Sequence, residues 1–329
     1  SYSWCEYDKT SRLSIKMLNN RSIMNRHEYW RKNYRQNRYM EHLSKEGIEA
    51  RTKDILTNMM TLSEKGQISL HGLSKIGEFW MVKWTHVLEE FVLRYGPYPN
   101  GFTNGFIKDV SFVNPSHPEP PKAKVALDKL GGIPAGCLFK FGKSEHLNDM
   151  FHHGRIRISP ASYYDDPSLN QAIRDDELSM TIEAHPSSVK ITNSKGESIE
   201  PIGNVSFRIE SKTNYYVHCF ASNYTYREYD DFEANACIVI KNPEAVLGKI
   251  ISTFEEEIPG FICYAESVRY IDPLQSKKDD VELFLSKHFK YSYQNEFRII
   301  WIPGTEVKML DPVFIEIGSM EEYADIIYV

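Results

Sequence analysis

Glu296 opens the run EFRIIWI (296–302). Strand alternation sends Phe297, Ile299 and Trp301 to one side and Glu296, Arg298, Ile300 and Ile302 to the other. A carboxylate at the mouth of an apolar strand is costly unless it is paired or used. Arg298, on the same face, is the obvious ionic partner, and Gln294 in the preceding loop completes the pattern Gln, any residue, Glu. Facing a ligand instead, a fixed carboxylate stabilises the positive charge that builds on a sugar as its glycosidic bond breaks. That chemistry needs neither a metal nor a second acid when the leaving group departs neutral.

Two further polar clusters lie in strand-like contexts. In KFGKSEHLNDMFHHGRIRISPASYYDDP (140–167), Lys140 points away from Phe139 and Phe141, and Arg155 and Arg157 point away from Ile156 and Ile158. Basic side chains on a sheet face hold a pyrophosphate or face solvent, and Tyr163 and Tyr164 follow them. Asp165 and Asp166, with Asp175, Asp176 and Glu177 downstream, suit turn and cap duty or a divalent cation. In YYVHCFAS (215–222), Tyr216, His218, Phe220 and Ser222 share one face. His218 and Ser222 there either orient a ribose or are satisfied core groups. No acid stands at a spacing that makes a triad with them. Rossmann and P-loop glycine fingerprints, HExxH, GxSxG and an EF-hand loop are absent.

The elements that must position these residues fall into three stretches. From Ser22 to Leu62 there is no proline, and the apolar spacing predicts two helices with Gly47 as a candidate break. Ile76 to Tyr95 reads as an amphipathic helix stopped by Gly96. Residues 1–96 are therefore expected to form a helical module. Residues 97–135 are expected to be a proline-rich linker or strap, since seven of the sixteen prolines lie between 97 and 134. Residues 136–329 change texture. Strands are predicted at 137–141, 155–159, 180–184, 188–192, 205–210, 215–222, 236–240, 263–271, 296–302 and 312–317. Helices are predicted from Ser144, as N-cap, to a stop at Gly154, and at 243–254 and 279–289. Strands and helices do not alternate regularly, so the fold class is α+β with a split or bent mixed sheet.

With 329 residues, 41% of them hydrophobic, the chain is long enough for a sizeable core. No apolar run long enough to span a membrane and no apolar signal core appear, so a soluble cytoplasmic protein is expected. The five cysteines show neither zinc spacing nor a disulfide framework. Net charge is −6, yet residues 1–60 carry twelve Lys and Arg against seven Asp and Glu. Between Tyr29 and Tyr39 the basic residues alternate with aromatics. That mixture touches phosphates and stacks on bases, or is a solvated helix face with its aromatics buried.

The order of a basic strand at Lys140, a strand ending in Ser222, and Gln294 with Glu296 resembles the Arg-Ser-Glu branch of the ADP-ribosyltransferase superfamily. FKFG, SYYDDP, HCFAS and YQNEFR also resemble an uncharacterised bacterial domain family associated with toxins and phage defence. The likeness covers residues 137–317. It departs at two places: the family's first-strand Arg is Lys140 here, and its Ser-Thr-Ser motif is only Ala221-Ser222. The resemblance implies NAD+ as the substrate, Glu296 as the catalytic acid on the ribose 2′-hydroxyl, and Gln294 orienting the acceptor. NAD+ would be held by Lys140, Arg157, Tyr163, Tyr164, His218 and Ser222. A Gln at position 294 implies an amide, carboxylate or nucleobase acceptor. RNA or DNA is thus favoured slightly over protein, and an antitoxin or chaperone partner is expected. Two other readings stand beside it: a metal-dependent nuclease built on Asp165, Asp166, Asp175 and Glu177, and a non-enzymatic interaction domain in which Glu296 and Arg298 form a buried pair.

Overall fold

The structure is a computed structural model that describes residues 25–71, 74–97 and 117–329. Its first elements are helices α1 (Arg26–Gln36) and α2 (Lys45–Met59), the hairpin β1 (Met60–Leu62) and β2 (Ile68–Leu70), and helix α3 (Lys75–Tyr95). Asn25, Ser44 and Ser74 cap the three helices by accepting backbone N–H groups that have no partner inside the helix. Gly96, at φ 89°, stops α3 where the spacing places its end. The break between α1 and α2 falls at residues 37–44 rather than at Gly47. Gly47 lies in the first turn of α2, where its N–H is the group that Ser44 satisfies.

Amphipathic spacing packs these helices around Tyr34, Tyr39, Met40, Ile48, Ile55, Trp80, Val87 and Phe91. Charge sets the seam between α1 and α3. Arg38 makes a two-pronged contact with Glu90 at 2.8 and 2.9 Å. Tyr34 and Arg94 also donate to Glu90, and Arg35 pairs with Glu89. Burial pushes the Glu90 carboxyl up, but the donors Arg38, Tyr34 and Arg94 outweigh it and hold the group below its ordinary value. The basic, aromatic stretch 29–39 is therefore divided: Tyr29, Lys32 and Arg35 stay exposed on one side while other members are built into the seam. Tyr34 and Tyr39 are core, and Arg35 and Arg38 are engaged by acids of α3.

Residues 98–116, part of the expected proline-rich strap, lie outside the described residues, as do residues 1–24. From Glu119 to Lys129 the chain is helix α4, not an extended strap. Pro118 is its N-cap, and Pro120 and Pro121 fall in the first turn, where a missing N–H leaves no intrahelical bond unmade.

The remainder is α+β, as the sequence predicts, but every pairing in its main sheet is antiparallel rather than mixed. In order come β3 (Leu138–Gly142), α5 (Ser144–His153), β4 (Arg155–Pro160), β5 (Ser179–Ala184), β6 (Ile191–Thr192), β7 (Ser198–Ile199), β8 (Val205–Glu210), β9 (Tyr216–Ala221), α6 (Glu228–Asp231) and β10 (Ala236–Ile240). Then follow α7 (Pro243–Glu257), β11 (Phe261–Ser267), β12 (Arg269–Ile271), β13 (Ser286–His288), β14 (Glu296–Pro303), β15 (Val313–Glu316) and β16 (Ala324–Tyr328). The main sheet runs β11-β14-β9-β3-β10-β16, with β4 and β15 branching from β9. One edge of β9 serves two strands: Tyr216 and Val217 pair with β4, whereas Ala221 pairs with Phe139 of β3. The sheet is split between those points. One face packs on α5 and α7 through Ile156, Ile238, Ile250, Phe254 and Trp301. The other packs on α4 and α6 through Leu127, Phe139, Cys237 and Tyr229.

Several local expectations are corrected. The predicted helix 279–289 is two 3-10 turns followed by β13, which pairs in parallel with β12. On a helix Leu285 and Phe289 would share one face. They are buried in two different cores, which an extended segment permits. The predicted strand 188–192 shortens to β6 because His185 caps a 3-10 turn over Pro186–Ser188. The run 263–271 divides at Val268 into β11 and β12. Lys143 rather than Ser144 is the N-cap of α5, and the Ser144 N–H is taken by Asn235 Oδ1 at 2.6 Å. Among the described residues no helix is long and apolar enough to cross a membrane.

Candidate functional site

The three strands that carry Lys140, Ser222 and Glu296 are immediate neighbours: β14 lies beside β9, and β9 beside β3. Glu296, Ala221 and Phe139 form one cross-strand row. Paired residues point to the same face, so Glu296 and Arg298 project from one face of the sheet, while Lys140, His218 and Phe220 project from the other.

Glu296 sits in a closed set of charges. It is 5% exposed; its Oε1 accepts from Arg298 Nε at 2.7 Å and its Oε2 from Lys287 Nζ at 2.9 Å. Arg298 is fully buried and grips Glu177 with both Nη atoms at 2.7 and 2.9 Å. Lys287 also lies 3.8 Å from Glu177 and donates to Gln294 Oε1 at 3.2 Å. Gln294 is buried as well, and its Nε2 donates to the Ala172 carbonyl at 2.6 Å. Two carboxylates thus face two cations. Burial pushes the Glu296 carboxyl up, but Arg298 and then Lys287 hold it far below the usual carboxylate range. Nearby, burial and the Glu177 charge push Asp175 up to about 7.

Local structure explains the aim of these groups. Asn295 adopts a left-handed φ of 44°, turning the chain from the 3-10 turn at 289–294 into β14. The Glu296 N–H is held by Tyr270 Oη at 2.8 Å. Ser222, expected on the ligand, instead donates its Oγ to the Asn295 carbonyl at 2.7 Å and ties the end of β9 to this turn. Lys287 was not singled out by spacing, and Glu177 was named only as a cation-binding acid, not as a partner of Arg298. The signal available was a lone lysine in the apolar run LFLSKHF and an acid flanked by Leu178 and Met180.

The split in the sheet gathers the other residues. Lys140 Nζ donates to the Cys219 carbonyl at 2.7 Å and lies 5.6 Å from the centre of the Phe220 ring. His218 Nδ1 donates to the Arg157 carbonyl at 3.2 Å, while its buried Nε2 has no partner. Burial, and then Lys140, push this imidazole well below its ordinary value, so it is neutral. The exposed Arg157 guanidinium lies 4.5 Å over the Tyr163 ring. Lys140 and His218 thus share one face at the split, whereas the register of β4 on β9 puts the Arg157 side chain, with Tyr163, on the other. Tyr164 packs against the small core of Val217 and Ile300 on the Glu296 face. The acids of the nuclease reading do not converge. Asp165 and Asp166 are exposed, Asp166 caps the Ser168 N–H at 2.8 Å, and Glu177 is held by Arg298.

A cavity of about 290 Å³ opens beside Asn295, lined by Asn58, His71, Ile76, Trp80, Asn223, Tyr224, Thr225, Ser292, Tyr293 and Asn295. None of these carries a charge at neutral pH, because burial and the neighbouring Arg227 push His71 down. Arg227 closes one side. It stacks 3.8 Å over Tyr293 and donates to the Thr57 and Met60 carbonyls at the end of α2. Neither Glu296 nor Gln294 lines this cavity or the larger one, about 440 Å³, bounded by Ile209 to Thr213 and Pro303 to Glu306.

No family model, curated protein or solved structure matches this chain.

Proposed function

We propose that this chain is an ADP-ribosyltransferase that takes ADP-ribose from NAD+ and passes it to a macromolecule, nucleic acid in preference to protein, in a toxin or phage-defence setting. The observation that supports this reading best is the adjacency of β14, β9 and β3, which sets the three segments of the resemblance side by side at a split in the sheet. The neutral His218, with its buried Nε2 free to accept from a ribose hydroxyl, gives that split a polar group in search of a ligand. From the two faces at the split, Lys140 and Arg157 supply positive charge for the pyrophosphate, and the Tyr163 ring supplies a stacking face.

In the reaction the bond between ribose C1′ and nicotinamide nitrogen breaks. The electron pair leaves with neutral nicotinamide as positive charge grows on the ribose, and an acceptor nitrogen or oxygen then bonds to C1′ and releases its proton to solvent. Glu296, ionised at all ordinary pH values, projects from the sheet face opposite Lys140 and His218, so to offset that charge it must leave Arg298 and Lys287 and the strand ends at the split must rearrange. The uncharged, aromatic cavity beside Asn295 suits an acceptor base, which Trp80, Tyr224 and Tyr293 can stack against.

A second reading is favoured by the enclosure of Glu296. Here the Glu296, Arg298, Glu177 and Lys287 set is a structural clamp inside an interaction domain, with no catalysis. Incubation with labelled NAD+ and separate pools of RNA, DNA and protein decides between the two. Transfer is expected into a nucleic-acid pool, with complete loss in Glu296→Gln and retained NAD+ binding by calorimetry. Glu296→Gln leaves two buried cations short of one negative charge, a loss of about 3–5 kcal/mol of stability under either reading. Each variant is therefore assayed below its measured melting temperature. Absence of both transfer and NAD+ binding in the parent protein establishes the second reading.

A further inference from the structure

The turn between α1 and α2 carries Glu41 and His42, and His185 follows directly on β5, 144 positions away from Glu41. Glu41 Oε1 lies 2.7 Å from His185 Nε2 and 3.5 Å from His42 Nε2. The three donor atoms lie within 4.8 Å of one another, and no other three-ligand group of His, Cys, Asp and Glu occurs among the described residues. None of the three belongs to the Glu296 set or to the split in the sheet.

We propose that Glu41, His42 and His185 form a zinc site that clasps the helical region to the β5 end of the sheet region. The donor set narrows the metal to a first-row transition ion, and zinc is the occupant proposed. Two imidazole nitrogens and one carboxylate oxygen match zinc, whereas calcium and magnesium require oxygen ligands. Zinc-to-ligand lengths of about 2.0–2.2 Å need donors a little over 3 Å apart, so small side-chain rotations close the triangle. The three side chains are between a quarter and a third exposed, which leaves the fourth tetrahedral position to water.

The surroundings are arranged for this. Arg38 lies 4.0 Å from Glu41 Oε2, on the oxygen that the histidines do not use. Ser187 Oγ sits 2.7 Å from His185 Nδ1. In the metal-free protein His185 Nε2–H donates to Glu41. On binding, the proton moves to Nδ1, which gives up the Ser187 N–H it accepts at 3.2 Å in the metal-free protein and donates to Ser187 Oγ instead, so the Nε2 lone pair turns to the metal without net proton release from that ring.

The test uses the full chain, stripped with a chelator and titrated with zinc chloride in a calorimeter. One zinc per chain is expected, with a melting temperature that rises as zinc is added. His42→Gln and His185→Gln are each expected to weaken binding by about 10- to 100-fold or more, with circular dichroism like that of the parent in the absence of zinc. His42→Gln guards against a folding artefact, because His42 has no short hydrogen bond to lose. Absence of saturable binding, or parental affinity in both variants, overturns the site.

Discussion

His288 shows how far one side chain here is bent from its solution behaviour. Burial, helped by Lys290, pushes its imidazole down to about 4, so the folded protein holds it neutral. An unfolded chain protonates the same ring near 6.5. The stability it contributes is therefore complete above pH 6.5 and drains away as pH falls toward 4. Asp54 and Asp175, raised to about 6 and 7, act with the opposite sign: their contribution is complete at low pH and is lost as pH rises through those values. The whole-protein profile mixes the two. His288→Asn keeps an acceptor for the Lys290 N–H and isolates the histidine. In urea denaturation the variant is expected to gain about 2–3 kcal/mol on the parent between pH 7.5 and pH 4.5. A gap that stays constant with pH would show that folded His288 takes up a proton freely. The same scale shows what the sequence revealed of the candidate site. Glu296 and its pairing with Arg298 were readable from strand alternation. Lys287 was not, and Glu177 was named only for a metal role, because the proximity of both to Glu296 comes from tertiary folding of segments with no periodicity of their own.

Elements were legible where one face serves one core. Helix α3 and its glycine stop, β4, β8, β10 and β14 follow from apolar spacing alone. The 279–289 segment misled because Leu285 and Phe289 stand four apart yet feed different cores. The engagement of Arg35 and Arg38 of α1 was not legible because Glu89 and Glu90, their partners, lie more than fifty residues away on α3. A comparable long-range contact fixes α2 and α3 onto the end of β12. Asp272 receives both prongs of Arg51, at 2.9 and 2.7 Å, and Lys83 at 2.6 Å, all three being buried. Burial pushes the Asp272 carboxyl up, but Arg51 and Lys83 reverse the shift and hold it well below its ordinary value. Asp272→Asn strands two buried cations and is expected to cost about 3–5 kcal/mol. Adding Lys83→Met, which removes one of those cations, is expected to recover part of that loss in thermal unfolding. Additive losses in the double variant would show that the two side chains do not act together.

At the scale of the molecule, the helices and the sheet region are not independent beads. Phe289, from the segment leading into β14, lies in the helical core, stacked 6.0 Å from Trp80 and under the Arg51 guanidinium at 4.9 Å. A chain beginning at residue 117 would expose Phe289 and leave Asp272 without its cations. It is expected to be poorly soluble or to melt far below the full chain, as light scattering and calorimetry would show; an unchanged melting temperature would mean the sheet region folds alone. Arg227 adds a mechanical consequence. The same guanidinium holds the last carbonyls of α2 and stacks on Tyr293, in the 3-10 turn that precedes β14. One guanidinium thus joins the C-terminal end of α2 to the turn that leads into β14, so a displacement of either segment strains the other.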